Sequence, residues 1–130
     1  ITGQQNDSLL DGGAGDEIDY ISAALVIGGS NATATATQAS INMSTGVATF
    51  AGGQGTTLAD ALADITARFT AATDSAGEFA LFRVNNTGNF HLLISDGTGG
   101  VTASDVITQL SGVTTIGVID LTSGDLTILS

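Results

Sequence analysis

The sequence predicts a mainly β fold, a β-roll or β-sandwich carrying one packed amphipathic helix over about residues 58–71. Three observations point there. Apolar runs are short and broken by clusters of Gly, Asp and Asn, the punctuation of strands and turns. Residues 31–37 alternate Thr with Ala, the two-residue period of a strand. Only the stretch from Leu58 spaces its apolar residues for a helix. The chain has 130 residues, enough for one domain with a real core, and residues 1–130 are read as that domain.

The elements follow in order. Residues 1–20 are rich in Gly and Asp. Residues 21–27 read as a buried strand ending at Gly28 and Gly29. Residues 41–43 and 47–50 flank Ser44, Thr45 and Gly46 as a short hairpin. Thr57 can cap the helix, and Asp60 places an acid in its first turn, where the helix dipole favours it. Leu58, Leu62, Ile65 and Phe69 form one apolar stripe that should lie on a sheet, with Asp64 facing water and the cation of Arg68 in the last turn. Residues 79–84 and 90–94 form a hairpin across 85–89, with Gly88 available for positive φ. That pairing puts Arg83 opposite His91 as a polar cross-strand pair. Residues 106–110, 116–119 and 126–129 are further strands, the last expected to be tied into a sheet.

Charge narrows the function. There are 13 acidic residues against 2 basic ones, a net charge of −11. Such a chain repels a phosphate backbone, so nucleic acid is not an expected partner. Without Cys there is no disulfide, thiolate metal site or thiol nucleophile, and one His cannot support a His-based site alone. No apolar run is long enough for a membrane span. The chain begins at Ile1 without an initiator Met or a signal-type stretch, which suggests a processed piece, the C-terminal part of something longer. Eleven of the acids are Asp, which favours turns and loops, where calcium ligands occur. The alternative reading of the same acids is a solvated surface that keeps an extracellular protein soluble.

Two segments carry possible ligands. The first runs through Gly3, Asn6, Asp7, Gly12, Gly13, Gly15, Asp16 and Ile18. It resembles two imperfect copies of the RTX nonapeptide G-G-x-G-x-D-x-U-x. In that repeat Gly turns the backbone sharply and presents carbonyls, Asp supplies hard carboxylates, and the aliphatic position packs inside the coil. Here Gln4 and Gln5 stand where the repeat has Gly. Ile18 arrives one residue early, so Asp16 or Glu17 fills the Asp position. The resemblance implies Ca²⁺ held near Asn6, Asp7, Gly13, Gly15, Asp16 and Asp19. The second segment, residues 96–105, is a relaxed form of the D-x-[DN]-x-[DN]-G loop and offers Asp96, Thr98, the Gly100 carbonyl, Ser104 and Asp105 as oxygen ligands. Its alternative is a Gly-rich loop in which Thr102 or Ser104 caps a turn.

Residues 79–130 resemble the terminal region of RTX-like bacterial surface proteins exported by type I secretion, of the S-layer and adhesin kind. The matching features are an aromatic hairpin, an Asp/Gly loop, the Gln109-Leu-Ser-Gly-Val113 turn and an apolar end. Residues 21–78 match no motif. An enzyme is not expected: His91, Ser95 and Asp96 are near in sequence, but no G-x-S-x-G elbow accompanies them. Asp60 and Asp64 read as a solvated helix face. The glycines at 52, 53 and 55 lack the Lys of a phosphate loop. Asn31 and Asn42 fit the N-glycosylation pattern, which matters only in a eukaryotic secretory route. The expected function is a non-catalytic, secreted, calcium-stabilised structural or surface module, extracellular or on the cell surface, with an export-type C-terminus. The alternatives are a subunit of an S-layer or extracellular filament that self-associates through strands, and an adhesin-type module that binds a carbohydrate or a surface; the low aromatic content, 5% with no Trp, argues against a sugar-stacking platform.

Overall fold

The computed structural model describes residues 16–129. Strands β1 (Asp16–Ile18), β2 (Val26–Ile27), β3 (Ser40–Ile41) and β4 (Ala48–Thr49) precede helix α1 (Leu58–Ala72). Strands β5 (Glu78–Phe82), β6 (His91–Ile94), β7 (Val106–Gln109), β8 (Val118–Asp120) and β9 (Leu126–Leu129) follow it. They form three sheets, in the orders β1-β9-β8, β2-β5-β6-β7 and β3-β4. The expectation of strands with one packed helix holds at this level. Among the described residues the arrangement is mixed α/β with no closed barrel, and most strand pairs are antiparallel, β2 with β5 being parallel. A β-roll would instead stack its turns in parallel.

The four-stranded sheet is the centre of the core. All five residues of β5 are buried, as are Leu92, Leu93 and Ile94 of β6. Their apolar runs are continuous, which is the pattern of strands covered on both faces. The helix covers part of this sheet with Ala61, Leu62, Ile65 and Phe69. It approaches closely at Gly28, where a Cβ would lie 2.3 Å from Phe69 Cε1. Only glycine permits that contact.

The helix begins as its sequence requires. Thr57 Oγ1 accepts from the Asp60 N–H at 3.2 Å, and Asp60 Oδ2 in turn accepts from the Thr56 N–H. Three helix expectations need correction. Leu58 is 41% exposed, so the buried stripe starts one turn later. Asp64 is buried, 5% exposed, instead of facing water. Arg68 is also buried, its guanidinium donating to the backbone carbonyls of Ala39 and Thr33.

Those two bonds explain a further correction. Residues 31–37 are not a strand; their regular pairing is limited to a Thr35–Gln38 bridge. Thr and Ala offer little apolar area to bury against a neighbouring strand. The segment is instead held to the helix by Arg68. The strand expected over 21–27 shortens to β2, with Ile21 exposed and the Leu25 N–H donating to the Gly124 carbonyl at 2.7 Å.

Both hairpins appear. In β3–β4, Ser40 faces Thr49 and Ile41 faces Ala48. In β5–β6, Phe82 faces His91, one residue away from the expected register. Arg83 therefore lies over the Phe90 ring, 5.2 Å from its centroid, and His91 stacks on Phe82. The C-terminal apolar stretch is tied in as expected: β9 is the middle strand of its sheet, with Leu126 and Ile128 buried.

Candidate functional site

Of the first group of expected ligands, Asn6, Asp7, Gly13 and Gly15 lie outside the described residues. Asp16 stands in β1 opposite Ile128, and Asp19 follows the strand on the surface.

The 96–105 loop connects β6 to β7 and is closed by its own carboxylates. Asp105 Oδ1 accepts from the Asp96 N–H at 3.0 Å, and its Oδ2 accepts from the Thr102 N–H at 2.7 Å. Asp96 Oδ1 accepts from the Thr98 N–H at 2.8 Å, and its Oδ2 accepts from the Thr102 hydroxyl at 3.2 Å. The Thr98 N–H, foremost, holds the Asp96 carboxyl below the usual carboxylate range, since these donors favour the charged form. The structure thus brings Asp96 and Asp105 together, with the exposed Thr98 on the same loop. Gly100 lies at the exposed tip in the left-handed region.

Asp74, at the end of the helix, stands beside this loop. A Cβ on Gly99 would lie 3.3 Å from Asp74 Oδ2. Nothing in the sequence spacing links residues 74 and 99; only the packing of the helix end against the loop brings them near. Among the described residues no three His, Cys, Asp or Glu side chains gather into a cluster able to hold a metal ion. A cation here would draw on two carboxylates together with hydroxyl, carbonyl and water oxygens, the donor set of a weak calcium site.

The other titratable groups serve the fold or stand apart. Glu78 is buried and accepts from the Thr73 hydroxyl and, at 2.7 Å, from the Ser75 N–H, which fixes the turn from helix to β5. His91 and Ser95 lie four residues apart along one extended segment, about 13 Å at strand rise, and Ser95 Oγ accepts from the Gly97 N–H. Burial pushes the His91 imidazole below its ordinary pKa. Asp64 has a buried Oδ2 with no hydrogen-bond partner. Burial, then the nearby Asp60 charge, raises its pKa.

Beyond these groups, the β3–β4 hairpin and Asn31 line a polar cleft. The Asn42-x-Ser-Thr-Gly46 pattern signals an Asx turn, though not the cleft beside it. Against protein-family models, curated proteins and solved structures, the chain finds no match.

Proposed function

We propose that the chain is a non-catalytic structural module of a secreted or cell-surface protein whose acidic loops are stabilised by Ca²⁺. The observation that carries this reading is the disposition of charge. Arg68 is turned inward onto backbone carbonyls and Arg83 lies over an aromatic ring. Meanwhile Asp96 and Asp105 share one loop, with Asp74 alongside. Loop donors keep the Asp96 carboxylate charged, and a divalent cation can use the lone pairs that those donors leave free on Asp96 and Asp105.

The same charge supports export before folding. Inside a cell, low calcium leaves the loops mutually repelling; outside, millimolar calcium neutralises them. Extracellular modules have sites of about 10⁻⁴–10⁻³ M affinity, which suits that switch. The sheet containing β9 joins strands from both ends of the described chain, so it forms late in any folding order that starts locally. Equilibrium dialysis against 1–10 mM calcium tests the ion reading. The chain should retain calcium, and the Asp96→Asn/Asp105→Asn double variant should retain less. Equal calcium on both sides of the membrane for the unmodified chain would reject it.

Assembly through strands is the second reading. Its support is β8, an edge strand with Val118 61% exposed. Among the described residues no strand pairs with its outer edge, and such an edge offers backbone groups to another copy. Among the described residues no helix is long and apolar enough to cross a membrane.

A further inference from the structure

The short hairpin β3–β4 has two unlike faces. Ile41 and Ala48 point into the core, so Ser40, Asn42, Val47 and Thr49 share the opposite face. Asn31 closes that face from the side. Its Oδ1 accepts from the Met43 N–H at 3.0 Å, and the Ile41 N–H donates to the neighbouring Ser30 carbonyl at 2.9 Å. The result is a cleft of about 390 Å³ lined by Asn31, Ser40, Asn42, Thr45, Val47 and Thr49. Sites for small ligands span roughly 300–1,000 Å³, so it lies at the small end of that range.

The cleft is preorganised. Asn42 Oδ1 accepts from the N–H groups of Ser44 and Thr45, at 2.8 and 3.1 Å, and so holds the turn. Gly46 has φ 71°, the left-handed position such a turn requires. Its carbonyl accepts from the Leu81 N–H at 2.8 Å, which fastens the hairpin to β5. A site held this way has little entropy left to lose on binding.

Backbone donors also settle the orientation of both amides. An N–H can be received only by the side-chain oxygen, so in Asn31 and Asn42 it is the –NH₂ that remains to donate to a ligand. Ser40 Oγ donates to the Asn31 backbone carbonyl at 3.5 Å, which leaves it to accept, and Thr45 Oγ1 accepts from the Val47 N–H at 3.3 Å, which leaves it to donate. The exposed Thr49 hydroxyl can do both. No lining side chain is charged.

We infer that this cleft binds a neutral, hydroxyl-rich ligand, a single hexopyranose unit of a glycan. Outward –NH₂ donors oppose a metal cation, and the net charge of −11 opposes an anion. Sugar hydroxyls match a mixed set of donors and acceptors, while Val47, half-buried against the core, gives the cleft an apolar floor. With no aromatic platform in the cleft, affinity falls in the millimolar range.

The test is a titration of the full ¹⁵N-labelled chain with methyl glucoside, mannoside and galactoside, followed by amide shifts in EGTA. The chelator makes the result independent of the calcium reading. Saturable shifts confined to residues 30–32 and 40–49 are expected with at least one glycoside. Asn31→Asp and Asn42→Asp each keep the capping oxygen and remove the –NH₂, while Thr49→Val removes an exposed hydroxyl. Each variant should weaken binding about 3–10-fold. Melting curves check the fold; should the Asp variants melt early, Thr49→Val decides alone. The inference is overturned if no glycoside saturates, if the shifts lie elsewhere, or if the variants bind unchanged. Equal shifts with sorbitol, or tighter binding of methyl glucuronide, would overturn it as well.

Discussion

The β5–β6 and β8–β9 hairpins are both antiparallel, yet they meet their surroundings differently. In the first, Glu78–Phe82 is buried throughout and Leu92, Leu93 and Ile94 are buried beside it. In the second, β8 is exposed at Val118 and Asp120, and in β9 Leu126 and Ile128 are buried while Thr127 between them is half-buried. The difference is written in composition: residues 79–82 and 92–94 are unbroken apolar runs that suit strands covered on both faces, whereas Asp120 and Thr127 interrupt the apolar residues of β8 and β9. Two-sided strands set the stability of the centre. One-sided strands leave edges, which managed proteins either protect or use for pairing.

Removing residues 120–130 gives the largest expected effect. It deletes the middle strand of the β1-β9-β8 sheet. The loss should exceed that of any point substitution, on the order of 5 kcal/mol or more, and export by a type I system should cease. A truncated chain that is exported and melts normally would make the second hairpin dispensable. Next is a matched pair. Phe79→Ala, at a fully buried site, should cost about 3–5 kcal/mol, whereas Val118→Ala should stay within about 0.5 kcal/mol in denaturant melts. Similar losses at both sites would erase the distinction between the hairpins.

The smallest effect concerns two acids of opposite behaviour. Asp64 has a raised folded pKa, from burial and then Asp60. The folded state therefore holds that proton more tightly than the unfolded chain, and Asp64 withdraws stability as pH rises from the ordinary carboxylate range through its folded pKa. Asp96 has a lowered pKa, chiefly from the Thr98 N–H, so its contribution is present above the ordinary range and fades as pH falls through its folded pKa. Asp64→Asn should raise stability at pH 7 by about 1 kcal/mol and flatten the pH dependence above pH 4. A melt that is lower at pH 7 than the parent's would show that the Asp64 charge is needed.

The helix was legible from its apolar spacing, and the hairpins and β9 from short apolar runs bounded by Gly, Asn and Asp turns. The 96–105 loop was legible as a pair of acids separated by glycines, and the carboxylates do converge there. Residues 31–37 misled because Thr–Ala alternation has the period of a strand without the apolar area to hold one. Arg68 and Asp64 misled because a helix position shows spacing but not what packs over it; the 31–39 segment covers both, with the Ala39 N–H donating to the Asp64 carbonyl at 3.0 Å. Asp74 beside Gly99, and Asn31 beside the hairpin turn, are contacts between segments far apart in sequence. No local pattern records them.

The central claim is that calcium stabilises this acidic fold, and melting the full chain across calcium concentrations tests it most directly. A ligand that binds only the folded state raises stability by RT ln(1 + [L]/Kd), so the midpoint should climb steadily with the logarithm of calcium concentration once past Kd. Between EGTA and 10 mM calcium the expected rise is roughly 5–15 °C for a site of 10⁻⁴–10⁻³ M affinity, with magnesium far less effective. Superimposable melting curves in EGTA and in 10 mM calcium would contradict the claim.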